Sequence, residues 1–555
     1  MLSAAEISAL DQVAPAADEP FVHAMTKTGA VAEEKLLQAL ARCLGLRFTR
    51  LHEREIDPSI RARVPTKAVF QYHVMPMRME DGQLLVATND PFNLAMIESL
   101  RMVTRSRIRL ALSSMADIEK ALKRYYGVGA ETLDQLIQKN VVDLDLPETA
   151  VAKQDVARDD QEASVVKFVN QIIAEAYKER ATDIHMEPME NDLRIRYRVD
   201  GVLHQVPVPA QLKRFQAAII SRIKVMASMD IAERRLPQDG RINVRSGGSE
   251  IDVRVSTIPT AYGESVSLRL LTRSSIFLGL DKLGLSPDDE KIVRKLVELP
   301  HGIILVTGPT GSGKSTSLYA FLSTINSIDQ RIITIEEPIE YELPGVNQMQ
   351  VKPEIGLTFA SGLRHILRQD PDVIMVGEIR DLETAEIAIR AALTGHLVFS
   401  TLHTNDAAGA ITRLLDMGIE PFLVSSSVEA IIAQRLVRTL CASCKTAYTP
   451  EPELLNEVGF PTPYEAVTFY RGRGCEECRF TGYRGRTGIY EILVMRESLR
   501  PLVIERAPSS TIKQAACAAG MRTLREDGWA KVRAGLTTVE EVARVTQEDE
   551  ALVGT

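Results

Sequence analysis

Residues 308–316 read Gly308-Pro309-Thr310-Gly311-Ser312-Gly313-Lys314-Ser315-Thr316. An apolar run, Ile303-Ile304-Leu305-Val306, precedes them, and a helix-like segment, Ser317 to Leu322, follows. Strand, glycine-rich turn and helix together make a phosphate cradle. Gly308, Gly311 and Gly313 let backbone N–H groups curl around phosphate oxygens without side-chain clashes. Lys314 supplies a point charge for the β- and γ-phosphates, Ser315 a hydroxyl for Mg²⁺, and the helix N-terminus fixed partial positive charge. The stretch predicts an α/β domain that binds a nucleoside triphosphate.

Outward from this loop, other apolar runs end in acids. Val373-Ile374-Met375-Val376 leads into Gly377-Glu378, where an acid for metal or water is expected. Glycine followed by glutamate is an atypical ending for such a strand. Ile332-Ile333-Thr334-Ile335 leads into Glu336-Glu337-Pro338-Ile339-Glu340, three carboxylates at the usual mouth of an open α/β sheet. One of them is a candidate general base for the attacking water. Leu397 to Thr401 is a third strand, bracketed by His396 and His403, candidates for sensing the γ-phosphate. Arg364, Arg368 and Arg380 lie within this domain and Arg254 and Arg269 outside it. An arginine donated by another domain or subunit stabilises charge in phosphoryl transfer.

The 555 residues exceed what one core can organise, so several domains are expected. No run approaches the roughly 18–20 apolar residues of a membrane span. The opening Met1-Leu2-Ser3-Ala4-Ala5-Glu6 carries no basic-then-apolar pattern of a secretory signal. A net charge of −8 argues against a nucleic-acid surface. Residues 1–126 read as a mixed α/β module, with Leu36, Leu37, Leu40 and Leu44 at helical spacing before Gly45. Val74–Met79 and Leu84–Ala87 form a hairpin around Asp81-Gly82, and a charged helix follows from Asp117 to Tyr126. Residues 127–162 are acidic and rich in small side chains, a solvated linker. Residues 163–275 read as a second α/β domain, opening with the amphipathic Val165, Val166, Val169, Ile172 and Ile173 and continuing through strands at Leu193–Val199, Ile251–Ser256 and Ser265–Leu271. The nucleotide-binding domain follows, 276–555. It includes a cysteine-bearing part at 441–490 and a helical tail in which Thr538 and Glu541 suit a capping box.

Cys441 and Cys444, then Cys475 and Cys478, form two CxxC knuckles, four thiolates suited to tetrahedral Zn²⁺. A closed four-thiolate site has no open position for catalysis, and residues 445–474 must form their own loop or subdomain. Cys43 and Cys517 read as small buried hydrophobes. Paired cysteines and no signal place the chain in a reducing compartment.

Long motifs in order carry a resemblance: ATDIHMEP from Ala181, RIRYRVDG from Arg194, PQDGRI from Pro237, IDVRVST from Ile251, the phosphate loop, TIEEPIEYELPG from Thr334, RQDPDVIMVGEIRD from Arg368, TGHLVFSTLHTND from Thr394, AQRLVRTLC from Ala433 and GYRGRTGIYE from Gly482. Over about residues 160–550 the chain resembles the secretion ATPases of type II secretion and type IV pilus assembly. The resemblance implies a RecA-like P-loop ATPase domain with a preceding PAS-like α/β domain, a homo-hexameric ring, and ATP held between the two domains so that hydrolysis moves one against the other. It places Lys314 and Ser315 in Walker A, Glu340 as the catalytic glutamate of the Asp box, Glu378 as the Walker B acid, His396 and His403 in the His box, and Arg254 and Arg269 as arginines reaching the γ-phosphate. Two departures stand out: Glu336-Glu337-Pro338 where the family commonly has Glu-Asp-Pro, and Ser265 after Gly263-Glu264 where a basic residue is frequent. The cysteine subdomain matches export and assembly members and not retraction motors. The implied function is a cytoplasmic ATPase, recruited to the inner membrane by secretion-platform proteins docking on residues 1–126, that drives pseudopilus assembly and protein export. The alternatives are a pilus extension motor, a RecA-like nucleic-acid translocase and a nucleotide-binding scaffold without turnover. Some relatives bind a cyclic dinucleotide through the N-terminal module; Arg42-Cys43-Leu44-Gly45-Leu46 is only a loose match to that motif.

Overall fold

Runs of Ile and Val with no polar alternation are expected where a strand is covered on both faces. In a computed structural model of the chain, the strands Gly302–Thr307, Ile332–Glu336, Val373–Val376 and Leu397–Leu402 are buried at every residue. The structure describes all residues except 1, 11–19, 28, 30, 52–55, 62, 133–150, 247–248, 273–278, 462, 465–466 and 547–555. It divides into two units, Met1–Leu271 and Thr272–Thr555.

In the second unit these strands join a seven-stranded sheet in the order Asn347–Gln350, Ile332–Glu336, Val373–Val376, Leu397–Leu402, Gly302–Thr307, Val428–Leu440, Tyr483–Val494. All neighbours are parallel except the last pair, Val428–Leu440 with Tyr483–Val494. One face is covered by helices Pro287–Val297 and Lys314–Ile325, through Val293, Leu318 and Phe321. The other is covered by Phe359–Ile366, Leu382–Leu393 and Ala407–Asp416, through Leu363, Ile389 and Ile411. Parallel order brings the C-terminal strand ends, with the phosphate loop, Glu336 and Glu378, to one edge of the sheet.

The cysteine-bearing part is shorter than expected. Residues 483–490 belong to the edge strand Tyr483–Val494, whose apolar residues pair with Val428–Leu440, so the appendage ends near Gly482. Between the knuckles, Lys445–Tyr448 and Phe469–Gly472 form their own two-stranded sheet. Phe460, from the same appendage, packs against Trp529 at 5.1 Å between ring centroids. Trp529 lies in Leu524–Arg533, one of the helices of the tail.

Among its described residues the first unit holds two sheets. Residues before 127 form a four-stranded sheet containing the expected hairpin, Met75–Glu80 with Gln83–Thr88, turned by Asp81 and Gly82, both at positive φ. The leucine-rich helix is Glu33–Leu44, ended by Gly45 in the left-handed region. Cys43 on this helix is exposed, contrary to the reading of it as buried: Leu36, Leu37 and Ala41 face the core instead. Cys517 is partly buried. The second sheet has six strands, ordered Val202–Val206, Leu193–Val199, Ala181–Pro188, Gly263–Thr272, Ser249–Thr260, Gln238–Ser246. Lys123 in the helix Met115–Tyr126 pairs with Glu175 at 2.8 Å. Residues 151–162, read as the end of the linker, are instead the start of the helix Val151–Lys178. Ala, Glu, Gln and Lys there favour helix even where acidic charge suggested solvation. The rest of the linker reading, 133–150, falls outside the described residues.

Thr538 caps the helix Val539–Thr546 by accepting from Glu541 N–H at 3.3 Å, but Glu541 does not complete the expected box. Its buried carboxylate instead receives Arg438 Nη2 at 2.6 Å, the Arg438 N–H at 3.1 Å and Arg544 Nε at 2.9 Å. Burial alone raises a carboxyl pKa; these partners outweigh it and hold Glu541 down at about 2. A depressed carboxyl contributes stability that is complete above its ordinary value and is lost as pH falls toward the folded one. Thermal melts of the full chain should therefore show an acid-side loss between about pH 4.5 and 2, on the order of 3 kcal/mol, that Glu541→Gln removes by making the protein less stable at neutral pH. An unchanged acid limb in Glu541→Gln counts against this role.

Candidate functional site

The loop after Gly302–Thr307 turns on glycines at positive φ: Gly308 at 148°, Gly311 at 79° and Gly313 at 93°. A Cβ on Gly308 would lie 2.5 Å from the Gln434 carbonyl and 2.6 Å from Ser312 Oγ; one on Gly313 would lie 2.8 Å from Gln434 Nε2. Only glycine fits both positions. Gly313 caps the helix Lys314–Ile325, so its first N–H groups open toward the loop. Lys314 folds back, donating from Nζ to Gly308 O at 2.8 Å and Pro309 O at 3.2 Å. Desolvation lowers its pKa to about 8. Among the described residues the buried Ser312 Oγ has no hydrogen-bond partner. A desolvated cation, a ring of backbone donors and an unsatisfied hydroxyl fit a polyphosphate. Ser315 is exposed at the start of the helix. Pro309 and Thr310 are exposed, and Thr316 partly so, on the rest of the loop.

The acids gather at the same edge. Glu378 accepts from Arg380 Nη2 at 2.6 Å and lies 3.3 Å from His403 Nε2. Arg380 also reaches Glu337 at 3.5 Å, tying the two acid-bearing loops together. Glu340 is placed by its backbone, whose N–H donates to Tyr319 OH at 3.2 Å. Glu336, the first carboxylate of the run, is buried and works structurally: Tyr319 donates to one oxygen, and Thr334 Oγ1 at 2.7 Å and Gln348 Nε2 at 3.0 Å to the other. Tyr319 thus joins the phosphate-loop helix to the loop that carries Glu340.

The histidines separate. His403 follows Leu397–Leu402 at the functional edge, and Thr404 beside it hydrogen-bonds Thr307 through the hydroxyls at 2.7 Å. His396 precedes the same strand, roughly 23 Å of extended chain away. It is level with Gly302, whose N–H donates to the His396 carbonyl at 3.2 Å, and its Nδ1 lies 2.9 Å from Ala391 O. In this unit His396 lies at the opposite end of the strand Leu397–Leu402 from His403. Arg364 pairs with Glu383 at 2.5 Å and Arg368 contacts His365 at 3.1 Å. Arg254 and Arg269 belong to the first unit, on strands Ser249–Thr260 and Gly263–Thr272.

Arg435 carries no role in the sequence reading. It lies buried in Val428–Leu440, beside the phosphate loop, and donates from Nη2 to Asn405 O at 2.9 Å and from Nη1 to Gln434 O at 3.2 Å. Its charge acts on Lys314. Gln434 in turn accepts from Ser317 Oγ at 2.7 Å. The sequence signal was polar residues inside an otherwise apolar run, Gln434 and Arg435 in VEAIIAQRLV.

The four cysteines meet. Their Sγ atoms all lie within 4.8 Å of one another, with three pairs at 3.7 Å. A tetrahedron with Zn–S bonds of about 2.3 Å has edges of about 3.8 Å, so the spacing fits zinc, while a disulfide is far shorter. Cys475 N–H at 3.1 Å and Gly482 N–H at 3.3 Å point at Cys478 Sγ, as donors to a thiolate do.

Residues 158–544 match the family described as Type II/IV secretion system protein, and residues 44–132 match the MshEN domain. The chain is 44% identical to the type IV pilus assembly ATPase PilB of Myxococcus xanthus, over 95% of this chain and 93% of that one. It is 45% identical to the type II secretion system protein E of Xanthomonas campestris pv. campestris, over 94% and 92%. With the protein E of Pseudomonas aeruginosa identity is 48%, over 84% and 93%. Among solved structures the Legionella pneumophila ATPase DotB shares the fold, with a TM-score of 0.51 and 22% identity over 69% of this chain and 96% of that one. Among the described residues no helix is long and apolar enough to cross a membrane.

Lys314 binds phosphate only when protonated. With its pKa at about 8, nucleotide affinity should weaken as pH rises above 8, by up to roughly tenfold per unit, while kcat at saturation changes less. Nucleotide titrations between pH 7 and 9.5 read this directly; a flat profile contradicts it. Elemental analysis of the purified chain should find zinc bound through the four cysteines, and Cys444→Ser should release it and lower the melting temperature by several degrees. Full metal content in that variant would exclude the four-thiolate site.

Proposed function

Because the chain belongs to the Type II/IV secretion system protein family, we propose that it is an ATP-hydrolysing motor that drives pseudopilus assembly and protein export by a type II secretion system. The observation that carries this reading is the phosphate loop facing Glu378 and the Glu340 loop along one edge of a parallel sheet. Lys314 and the loop N–H groups hold the β- and γ-phosphates, and Ser315 and Glu378 are the groups that would hold Mg²⁺, directly or through water. Mg²⁺ supplies charge neutralisation on the phosphates. Glu340 orients and deprotonates the attacking water, and His403 responds to the γ-phosphate, a role its contact with Glu378 supports. Arg254 and Arg269 are assigned to the γ-phosphate on the resemblance alone. The working form is proposed to be a homo-hexamer, cytoplasmic and brought to the inner membrane by platform proteins through residues 1–126. The domain boundaries at about 126 and 275, and Zn²⁺ in the cysteine cluster, belong to the same proposal.

A second reading, the extension motor of a type IV pilus, is supported by the similarity to the Myxococcus protein along nearly the whole of both chains. Deleting the gene separates the two: loss of exported proteins with pili intact supports secretion, and the reverse supports pilus assembly. Stimulation of turnover by DNA would instead favour a nucleic-acid translocase. In phosphate-release assays Glu340→Gln should lose turnover by a factor on the order of 10²–10⁴ while retaining ATP binding, and it should fail to restore export. Export restored by this variant would make the protein a scaffold.

A further inference from the structure

The strand Ala181–Pro188 lies inside the six-stranded sheet, between Leu193–Val199 and Gly263–Thr272. Its acids face arginines on both neighbours. Glu187 takes Arg194 at 2.8 Å and also Arg196. Asp183 stands directly opposite Arg198 on one side and Arg269 on the other. It is nearly buried, at 9% exposure. Oδ2 accepts from Thr182 Oγ1 at 2.7 Å and lies 3.7 Å from Arg198 Nε; Oδ1 accepts from Arg269 Nε at 3.2 Å. The Asp183 carboxylate therefore sits in a fixed place, set by register and by its own hydrogen bond.

The contact with Arg269 uses Nε, while 55% of the Arg269 side chain stays exposed. A guanidinium is planar, so holding its Nε edge fixes the plane of the whole fork. We propose that Asp183 is a positioning residue for Arg269: it presents the remaining N–H donors in one orientation, ready for a phosphoryl oxygen. This rests on the assignment of Arg269 to the γ-phosphate. An arginine acting on a transition state gains most when its orientation is set beforehand, because a misplacement of about 1 Å costs on the order of 10²-fold in rate. The phosphate loop belongs to the other unit and is built from its own residues, so Asp183 should affect kcat and leave KM nearly untouched.

A double-mutant cycle on the full-length protein tests this, with kcat and KM from phosphate release and melting temperature as a control. Arg269→Ala should lower kcat on the order of 10³-fold or more. Asp183→Ala should lower it roughly 10- to 100-fold with KM for ATP nearly unchanged. The double variant should be no slower than Arg269→Ala, since Asp183 acts through Arg269. Asp183→Asn, which keeps shape and an acceptor oxygen, should fall between wild type and Asp183→Ala, and it serves if the alanine variant does not fold. Multiplying losses in the double variant, an unchanged kcat in Asp183→Ala, or a loss confined to KM overturns the inference with the Arg269 assignment left standing. Full turnover in Arg269→Ala removes that assignment, and the inference falls with it.

Discussion

The backbone at Gly308 and Gly313 has room for hydrogen and nothing larger, because Gln434 and Ser312 close in from below and beside it. Much of the candidate site depends on that close approach. It presses the loop onto the strand Val428–Leu440, which brings Arg435 under the loop and ties it to Asn405. It also aims the helix Lys314–Ile325 so that Tyr319 can reach the Glu336–Glu340 loop. A loop that stood away from the sheet could still curl around phosphate, but its neighbours would no longer report on what it holds.

Where the sequence was legible, a local rule and a global one agreed. Apolar runs without alternation marked strands covered on both sides, and the acids after them marked the functional edge, because parallel strands all end there. The cysteine knuckles were readable for a similar reason: one metal imposes one spacing, and four Sγ atoms within 4.8 Å meet it. The turn at Asp81-Gly82 needed left-handed backbone and had the residues for it.

Other positions were decided by partners distant in sequence. Glu541 had the right position for a capping box, but Arg438, distant in sequence, offered a buried carboxylate more than the helix N-terminus did. Glu336 looked like one of three equivalent acids until Tyr319, Thr334 and Gln348 closed around it. For Glu541 and Glu336 a long-range partner redirected a side chain whose local context was read correctly.

The same logic separates the carboxylates of this protein by what they face. Glu336 and Glu541 are enclosed by donors and hold architecture. Glu378 stands between Arg380, His403 and the charge of Lys314, all beside a cradle shaped for phosphate. It is mostly buried, while its partners Arg380 and His403 are themselves largely exposed, so they compensate it without enclosing it. Glu378 is therefore satisfied without being committed, whereas Glu336 is committed to its three donors. A motor that must alternate between empty and filled states needs acids of the first kind at its edge and acids of the second kind behind them. The sheet supplies both from the same pair of adjacent strand ends, Ile332–Glu336 and Val373–Val376.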